Sequence, residues 1–139
     1  MVGFKKGLWP FQLGKKNSKT VQNTGLHGED IAVSFLETQG YSIVARNYRQ
    51  RFGEIDIVAQ DGETLVFVEV KTRRSDRFGS PFEAIDTRKQ IKISRMAQDY
   101  ISRNNLEDCS ARFDVVAIRL KQDSAPEVQH ICDAFDFQE

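Results

Sequence analysis

Two apolar runs within residues 52–74, FGEIDIVAQDGETLVFVEVKTRR, constrain this chain more than any other stretch. The first covers residues 53–59 and the second residues 65–71, with Asp61-Gly62 between them, one of the strongest short hairpin signals. Read as strands, the runs alternate faces: Glu54 and Asp56 share one face, and Ile55 and Ile57 take the other. In the second run Val66, Val68 and Val70 share a face, and Phe67, Glu69 and Lys71 share the opposite one. Residues 65–68 are apolar on both faces, which predicts a strand covered on both sides, and Glu69 follows directly at the edge of that covered region. A carboxylate there costs several kcal/mol unless it is paired, hydrogen-bonded or metal-bound. Asp56, bracketed by Ile55, Ile57 and Val58, faces the same demand.

A hairpin sets the two strands side by side, so Asp56 and Glu69 can converge. Two converging carboxylates repel unless a proton or a cation lies between them. A hard divalent cation such as Mg²⁺ takes oxygen ligands of this kind. Lys71, two residues from Glu69 on the same face, can reach the same place. Taken alone, Glu-x-Lys on a strand is commonly a charge pair on a wet face. The combination is more telling: Asp in one apolar strand, Glu-x-Lys in the next, and a turn that pairs them.

The length of 139 residues suits one domain with a single core, 24–139, preceded by an arm over 1–23. That arm is rich in Gly, Lys, Asn and Ser and shows neither helical nor strand period, which predicts a flexible basic segment. No apolar run approaches a membrane span, and the N-terminus lacks a secretory apolar region. Cys109 and Cys132 read as free thiols of a reducing cytoplasm. Net charge is zero but blocked: 1–28 carry five Lys and no acid, and 71–103 carry nine basic and four acidic residues. The intervening and final segments are acidic. Basic segments suit a polyanion, whereas zero overall charge argues against tight non-specific DNA binding.

Thr24 is placed to cap a helix over 25–39 that ends at Gly40, with Ile31, Phe35, Leu36 and Gln39 near one stripe and Ala32 beside them. Glu29 and Asp30 lie early in it, where the helix dipole alone favours carboxylates. Strands are expected over 41–48, in the two central runs, over 112–120 and over 128–137, with a turn at 49–53. A polar basic loop spans 73–81. A second helix is expected from Pro81 or Asp86 to Arg103, with Ser80-Pro81 as a start signal and Ile85, Lys89, Ile93, Met96, Ala97, Tyr100 and Ile101 as its stripe. The unit 63–120 is then a right-handed parallel crossover, giving a mixed sheet with helices on its faces. His27 and His130 stand apart from any ligand-spaced Cys/His cluster, so nothing suggests zinc.

This order, with Asp on the second strand and Glu-x-Lys on the third, resembles the restriction-endonuclease-like fold of the PD-(D/E)xK nucleases, an α/β core of αβββαβ order. Over residues 24–120 the resemblance is closer. Gly25-x-x-Gly28-Glu29-x-x-Ala32, Asn47-Tyr48-Arg49, Gly53-Glu54-Ile55-Asp56, Phe67-Val68-Glu69-Val70-Lys71-x-Arg73, Phe78-Gly79, Lys89 and Arg112-Phe113-Asp114-Val115 look like the bacterial YraN family. That family is usually compared with archaeal Holliday-junction resolvases, so the resemblance implies a nuclease-like scaffold more firmly than a reaction. It assigns Asp56 and Glu69 as metal ligands with the Val70 carbonyl as a third. Lys71 would orient or help deprotonate the attacking water and stabilise the developing phosphorane charge. It raises Glu29 above its helix-dipole reading, as an extra acid near the metal, and makes Glu54 a supporting partner of Asp56. Ile55 stands where the name motif has Pro, a departure common in the fold. Arg73, Arg74, Arg77, Arg88, Lys89 and Lys92 are placed to hold flanking phosphates.

Two readings result. One is a Mg²⁺- or Mn²⁺-dependent endonuclease acting on DNA, on branched or damaged structures, with a homodimer as the analogy to resolvases. The other is a binding module for nucleic acid or protein that keeps the fold with little or no turnover.

Overall fold

Gly62 takes a left-handed φ of 60° and closes the central hairpin. The computed structural model describes residues 24–74 and 85–139. The expected arm 1–23 lies outside the described residues, as do Arg77, Phe78-Gly79 and the Ser80-Pro81 helix start. Helix α1 (Thr24–Thr38) leads into three strands, β1 (Ser42–Gln50), β2 (Gly53–Asp61) and β3 (Thr64–Arg73). Helix α2 (Thr87–Arg103), β4 (Ser110–Arg119) and β5 (Glu127–Phe135) complete the order. The sheet runs β1-β2-β3-β4-β5, with β3 and β4 parallel and every other neighbour antiparallel. This mixed sheet flanked by two helices is consistent with a restriction-endonuclease-like core.

Local chemistry explains the boundaries. Helix α1 ends as expected at Gly40, whose φ of 91° lets Gly40 N–H reach the Glu37 carbonyl and Tyr41 N–H the Leu36 carbonyl. Helix α2 begins at Asp86, whose carboxylate accepts the Lys89 N–H at 2.9 Å. It ends at Asn104, with Asn105 in the left-handed region at φ 55°. The first turn is tighter than its sequence suggests. Strand β1 runs on to Gln50, which pairs with Gly53, so only Arg51 and Phe52 form the loop. Arg49 and Glu54 become a cross-strand pair, with Arg49 Nε donating to Glu54 at 2.7 Å.

Each sheet face carries its own core. Helix α2 packs Ile93, Met96, Ala97 and Tyr100 against Ile55, Val58, Leu65, Phe67, Phe113 and Val115. Helix α1 packs Ala32 and Leu36 against Ile57, Ala59, Val66, Val68, Val116 and Ile118. The central strands are therefore buried on both sides, as the apolar run 65–68 requires. One expectation fails. Ile55 and Ile57 do not share a face: Ile55 belongs to the α2-side core and Ile57 to the α1-side core. Strict alternation breaks at Asp56, where β2 leaves its ladder with β3.

Candidate active site

The β2–β3 ladder stops at the pair Ile57↔Val68, while β3 continues beside β4 as far as Arg73. One further step in register would pair Asp56 with Glu69. The two carboxylates thus sit at a fork, where one strand parts from its neighbour. Such a fork frees backbone donors, and Asp56 takes one of them: its Oδ2 accepts the Val70 N–H at 2.8 Å. Glu69 lies beside Asp56 and raises its pKa. Both are nearly buried, 9% and 8% exposed. Burial, with Glu69 beside it, pushes the Asp56 carboxyl up to about 8, against the pull of the Val70 N–H. A proton shared between the two carboxylates is one of the two ways such a pair is tolerated.

Lys89 reaches this pair from α2, with Nζ 2.7 Å from Glu69 Oε2. Burial by itself lowers the Lys89 ammonium's pKa, and the Glu69 carboxylate more than offsets it, leaving it raised. The sequence placed Lys89 in the helix stripe and among the phosphate holders. The structure places its ammonium on a buried carboxylate.

Glu29 approaches from α1. It lies in the second turn of the helix, past the first turn where the dipole acts, so the dipole does not explain it. Gly28 allows the approach: a Cβ there would lie 2.0 Å from Thr72 Oγ1 on β3, so α1 rests directly on that strand. Burial pushes the Glu29 carboxyl up, against Arg46 and a hydrogen bond to Asn47. Its Oε1 is buried without a hydrogen-bond partner among the described residues, and its charge in turn raises Asp56. Asp30 points elsewhere, to Arg46 at 2.8 Å.

Asn47 was not singled out as a site residue by sequence reasoning. It lies between the pairs Arg46↔Ile57 and Tyr48↔Ile55, hence opposite Asp56, with φ 53° inside a strand. Asn tolerates this region better than most residues, and here the conformation accompanies a hydrogen bond to Glu29.

A cleft between the fork and α2 is lined by Glu54, Asp56, Glu69 and Val70 from the sheet and by Arg88, Lys89 and Lys92 from the helix. An adjoining cleft shares Glu69, Val70 and Lys89 and adds Lys71 and Arg73. Arg74 follows β3, is exposed, and lines neither cleft. Glu54 lies in the cleft with its carboxylate held by Arg49. The fold thus gathers carboxylates at one point and cations facing them across a groove. Hard oxygen donors of this set suit Mg²⁺ or Mn²⁺. Glu29 Oε1 is buried and unpartnered among the described residues, but Glu29 does not come together with Asp56 and Glu69 as a three-ligand group at metal-binding distances.

A second group gathers across β4 and the edge strand β5. The ligand atoms of Asp114, His130 and Cys132 lie within 4.8 Å of one another and could hold a metal ion. This corrects the view of His130 as isolated. Residues 130 and 132 alternate on one strand and so share a face, and β5 folds back beside β4 to bring them to Asp114. The two-residue spacing was a readable signal. The partner 16 positions away was not.

Comparison with known proteins agrees with these elements. The model of the "Uncharacterised protein family UPF0102" matches residues 28–118. The chain belongs to the UPF0102 family. This is the YraN family that the GEID and FVEVKxR stretches resemble. A UPF0102 protein of Geotalea daltonii is 49% identical over 123 residues, covering 88% of this chain and 94% of that protein. One of Syntrophus aciditrophicus is 50% identical over 113 residues, covering 81% and 88%. One of Pelobacter propionicus is 51% identical over 117 residues, covering 83% and 84%. The match to UPF0102 spans α1 through nearly all of β4, so it contains Glu29, Asp56, Glu69 and Lys89, and it ends before β5. Among the described residues no helix of this UPF0102 protein is long and apolar enough to cross a membrane.

Proposed function

We propose that this protein is a Mg²⁺- or Mn²⁺-dependent endonuclease that hydrolyses DNA phosphodiester bonds on branched or damaged DNA. The observation that carries the reading is the fork: Asp56 and Glu69 meet there nearly buried, and an unpartnered oxygen of Glu29 belongs to the same electrostatic cluster. A hard divalent cation held there would neutralise a phosphate oxygen and acidify a bound water.

The chain's own groups have separate tasks. Asp56, Glu69 and the Val70 carbonyl hold the cation, and Glu29 completes the oxygen set. The Val70 N–H fixes the rotation of the Asp56 carboxylate. Glu54 supports Asp56. Lys71 orients the attacking water and faces the charge that develops on the phosphate. Arg73, Arg74, Arg77, Arg88 and Lys92 bind flanking phosphates and set the position of the duplex without reading its sequence, and Lys89 joins them once a cation displaces it from Glu69. The domain spans 24–139 with 1–23 as a basic arm. It works in the cytoplasm, where unpaired Cys109 and Cys132 persist, and as a two-fold dimer, because a four-way junction needs paired cuts.

A second reading has its own support. Lys89 on Glu69 already offsets part of the buried charge without a metal, and a proton shared by Asp56 and Glu69 would offset more. A binding module with little turnover would need no more.

Cleavage of labelled linear, flapped and four-way DNA in Mg²⁺ and in Mn²⁺, with Asp56→Asn purified in parallel, separates the two. Metal-dependent cleavage that Asp56→Asn abolishes supports the nuclease. A folded, monodisperse protein that cuts none of the three supports the binding module.

A further inference from the structure

We propose that Asp114, His130 and Cys132 form a binding site for a thiophilic divalent cation of the zinc class, separate from the fork. The donor set differs in kind from the all-oxygen cluster of Asp56, Glu69 and Glu29. One thiolate, one imidazole and one carboxylate make a borderline-soft site that favours Zn²⁺ over Mg²⁺.

The geometry is close to what such an ion needs. Bonds of about 2.3 Å to sulfur and about 2.0–2.1 Å to nitrogen, at the tetrahedral angle, place the two donor atoms roughly 3.5 Å apart. Cys132 Sγ lies 3.7 Å from His130 Nε2. Asp114 Oδ2 lies 2.8 Å from the same Nε2 as a hydrogen bond, and this separation must open to roughly 3.3 Å when an ion replaces the proton. Binding therefore releases the thiol proton to solvent and needs the neutral imidazole tautomer that carries its proton on Nδ1, which leaves Nε2 free as the donor. The Tyr41 hydroxyl lies 3.7 Å from Cys132 Sγ and 3.2 Å from Asp114 Oδ2, so a fourth ligand would be a water beside it or the hydroxyl itself.

The ligands are braced. Asp114 Oδ1 accepts from Arg112 Nε and from the Asp133 N–H, each at 3.0 Å, while Oδ2 faces His130 and the Tyr41 hydroxyl and accepts from Arg112 Nη2 at 3.4 Å. The His130 ring is held edge-on between Phe35 and Tyr41, with centroids 5.8 and 5.5 Å away. Support of this kind orients metal ligands in proteins generally. Charge also favours a cation. Asp61 and Asp114 share the single guanidinium of Arg112, so the cluster carries excess negative charge. A divalent ion together with a Cys132 thiolate brings it to balance. Asp114 is fully buried while Cys132 is exposed, so an ion enters from the Cys132 side.

The test is titration of the reduced full-length protein with Co²⁺, read by the thiolate-to-cobalt charge-transfer band and the visible d–d bands. The oxygen-only fork cannot produce the charge-transfer band, so this readout is independent of any nuclease activity. The expected result is saturation at one equivalent and loss of the band on adding Zn²⁺. Cys132→Ser abolishes the band, His130→Gln weakens binding at least about tenfold, and Cys109→Ser leaves both unchanged. A folded protein without the band, or a band that survives Cys132→Ser, overturns the assignment.

Discussion

Lys89 Nζ lies 2.7 Å from Glu69 Oε2 and joins the first turn of α2 to the point where two strands part. Glu69 is nearly buried while the Lys89 side chain is 58% exposed, so the helix brings a solvent-reachable cation to an enclosed carboxylate. The ammonium occupies ground that a metal would share, which sets up a competition. Lys89→Ala is expected to lower stability in EDTA by only about 1 kcal/mol, since half-exposed pairs contribute little. The same variant should gain more from Mn²⁺ than the parent does. Thermal melts with and without Mn²⁺ measure both, and a Mn²⁺ gain equal to the parent's would separate Lys89 from the cation's position.

Asp56 makes the site pH-dependent. Its folded pKa of about 8 stands above its ordinary value of 3.8, so the folded protein binds more protons than the unfolded chain between those limits. Stability should therefore fall as pH rises from about 4 to about 8 and level off above. Asp56→Asn removes this contribution to the slope and should be the more stable protein at pH 8 by about 1 kcal/mol or more. Urea denaturation of both proteins from pH 5 to pH 9 checks the sign. Metal affinity should run the opposite way, rising toward pH 8 as the Asp56 proton leaves.

Gly28 is needed for close approach. An added Cβ would meet Thr72 Oγ1 at 2.0 Å and Thr72 Cβ at 3.1 Å, so helix and strand must separate. Gly28→Ala should cost about 1–3 kcal/mol, and Thr72→Ala in the same chain should recover part of it. Denaturant midpoints of the single and double variants give the coupling. The displaced helix also carries Glu29 away from Asp56, so Mn²⁺ binding should weaken in the single variant.

Asn47 combines a backbone role with a side-chain role, and two substitutions separate them. Asn47→Gly keeps φ near 53° at little strain and removes the amide that hydrogen-bonds Glu29. Asn47→Ala removes the amide and adds backbone strain of about 1 kcal/mol or more. Both should weaken Mn²⁺ binding by a similar factor, while only Ala should lower the melting temperature appreciably. Unchanged Mn²⁺ affinity in the Gly variant would confine Asn47 to a backbone role.

Much of this was legible in the chain. Residues 65–68, apolar on both faces, required a doubly covered strand, and β3 has that burial. Asp61-Gly62 announced the hairpin, and Gly40 and Asn104-Asn105 marked the helix ends. Asp56 and Glu69 stood out because acids seldom interrupt apolar strands without a partner. The less legible parts depend on contacts between distant segments. No periodicity says that β2 leaves β3 after Ile57, that Lys89 reaches Glu69 across the α2 interface, or that Asn47 lies opposite Asp56.

The sequence by itself determined the elements, the mixed sheet and the two carboxylates, because propensity, alternation and the cost of burying charge act locally along the chain. Tertiary structure decided how those carboxylates are satisfied, through a backbone N–H released at the fork and an ammonium from a helix on the facing side. It alone brought Asp114 on β4 to His130 and Cys132 on β5, because strand pairing between separate segments depends on the packing of the whole sheet.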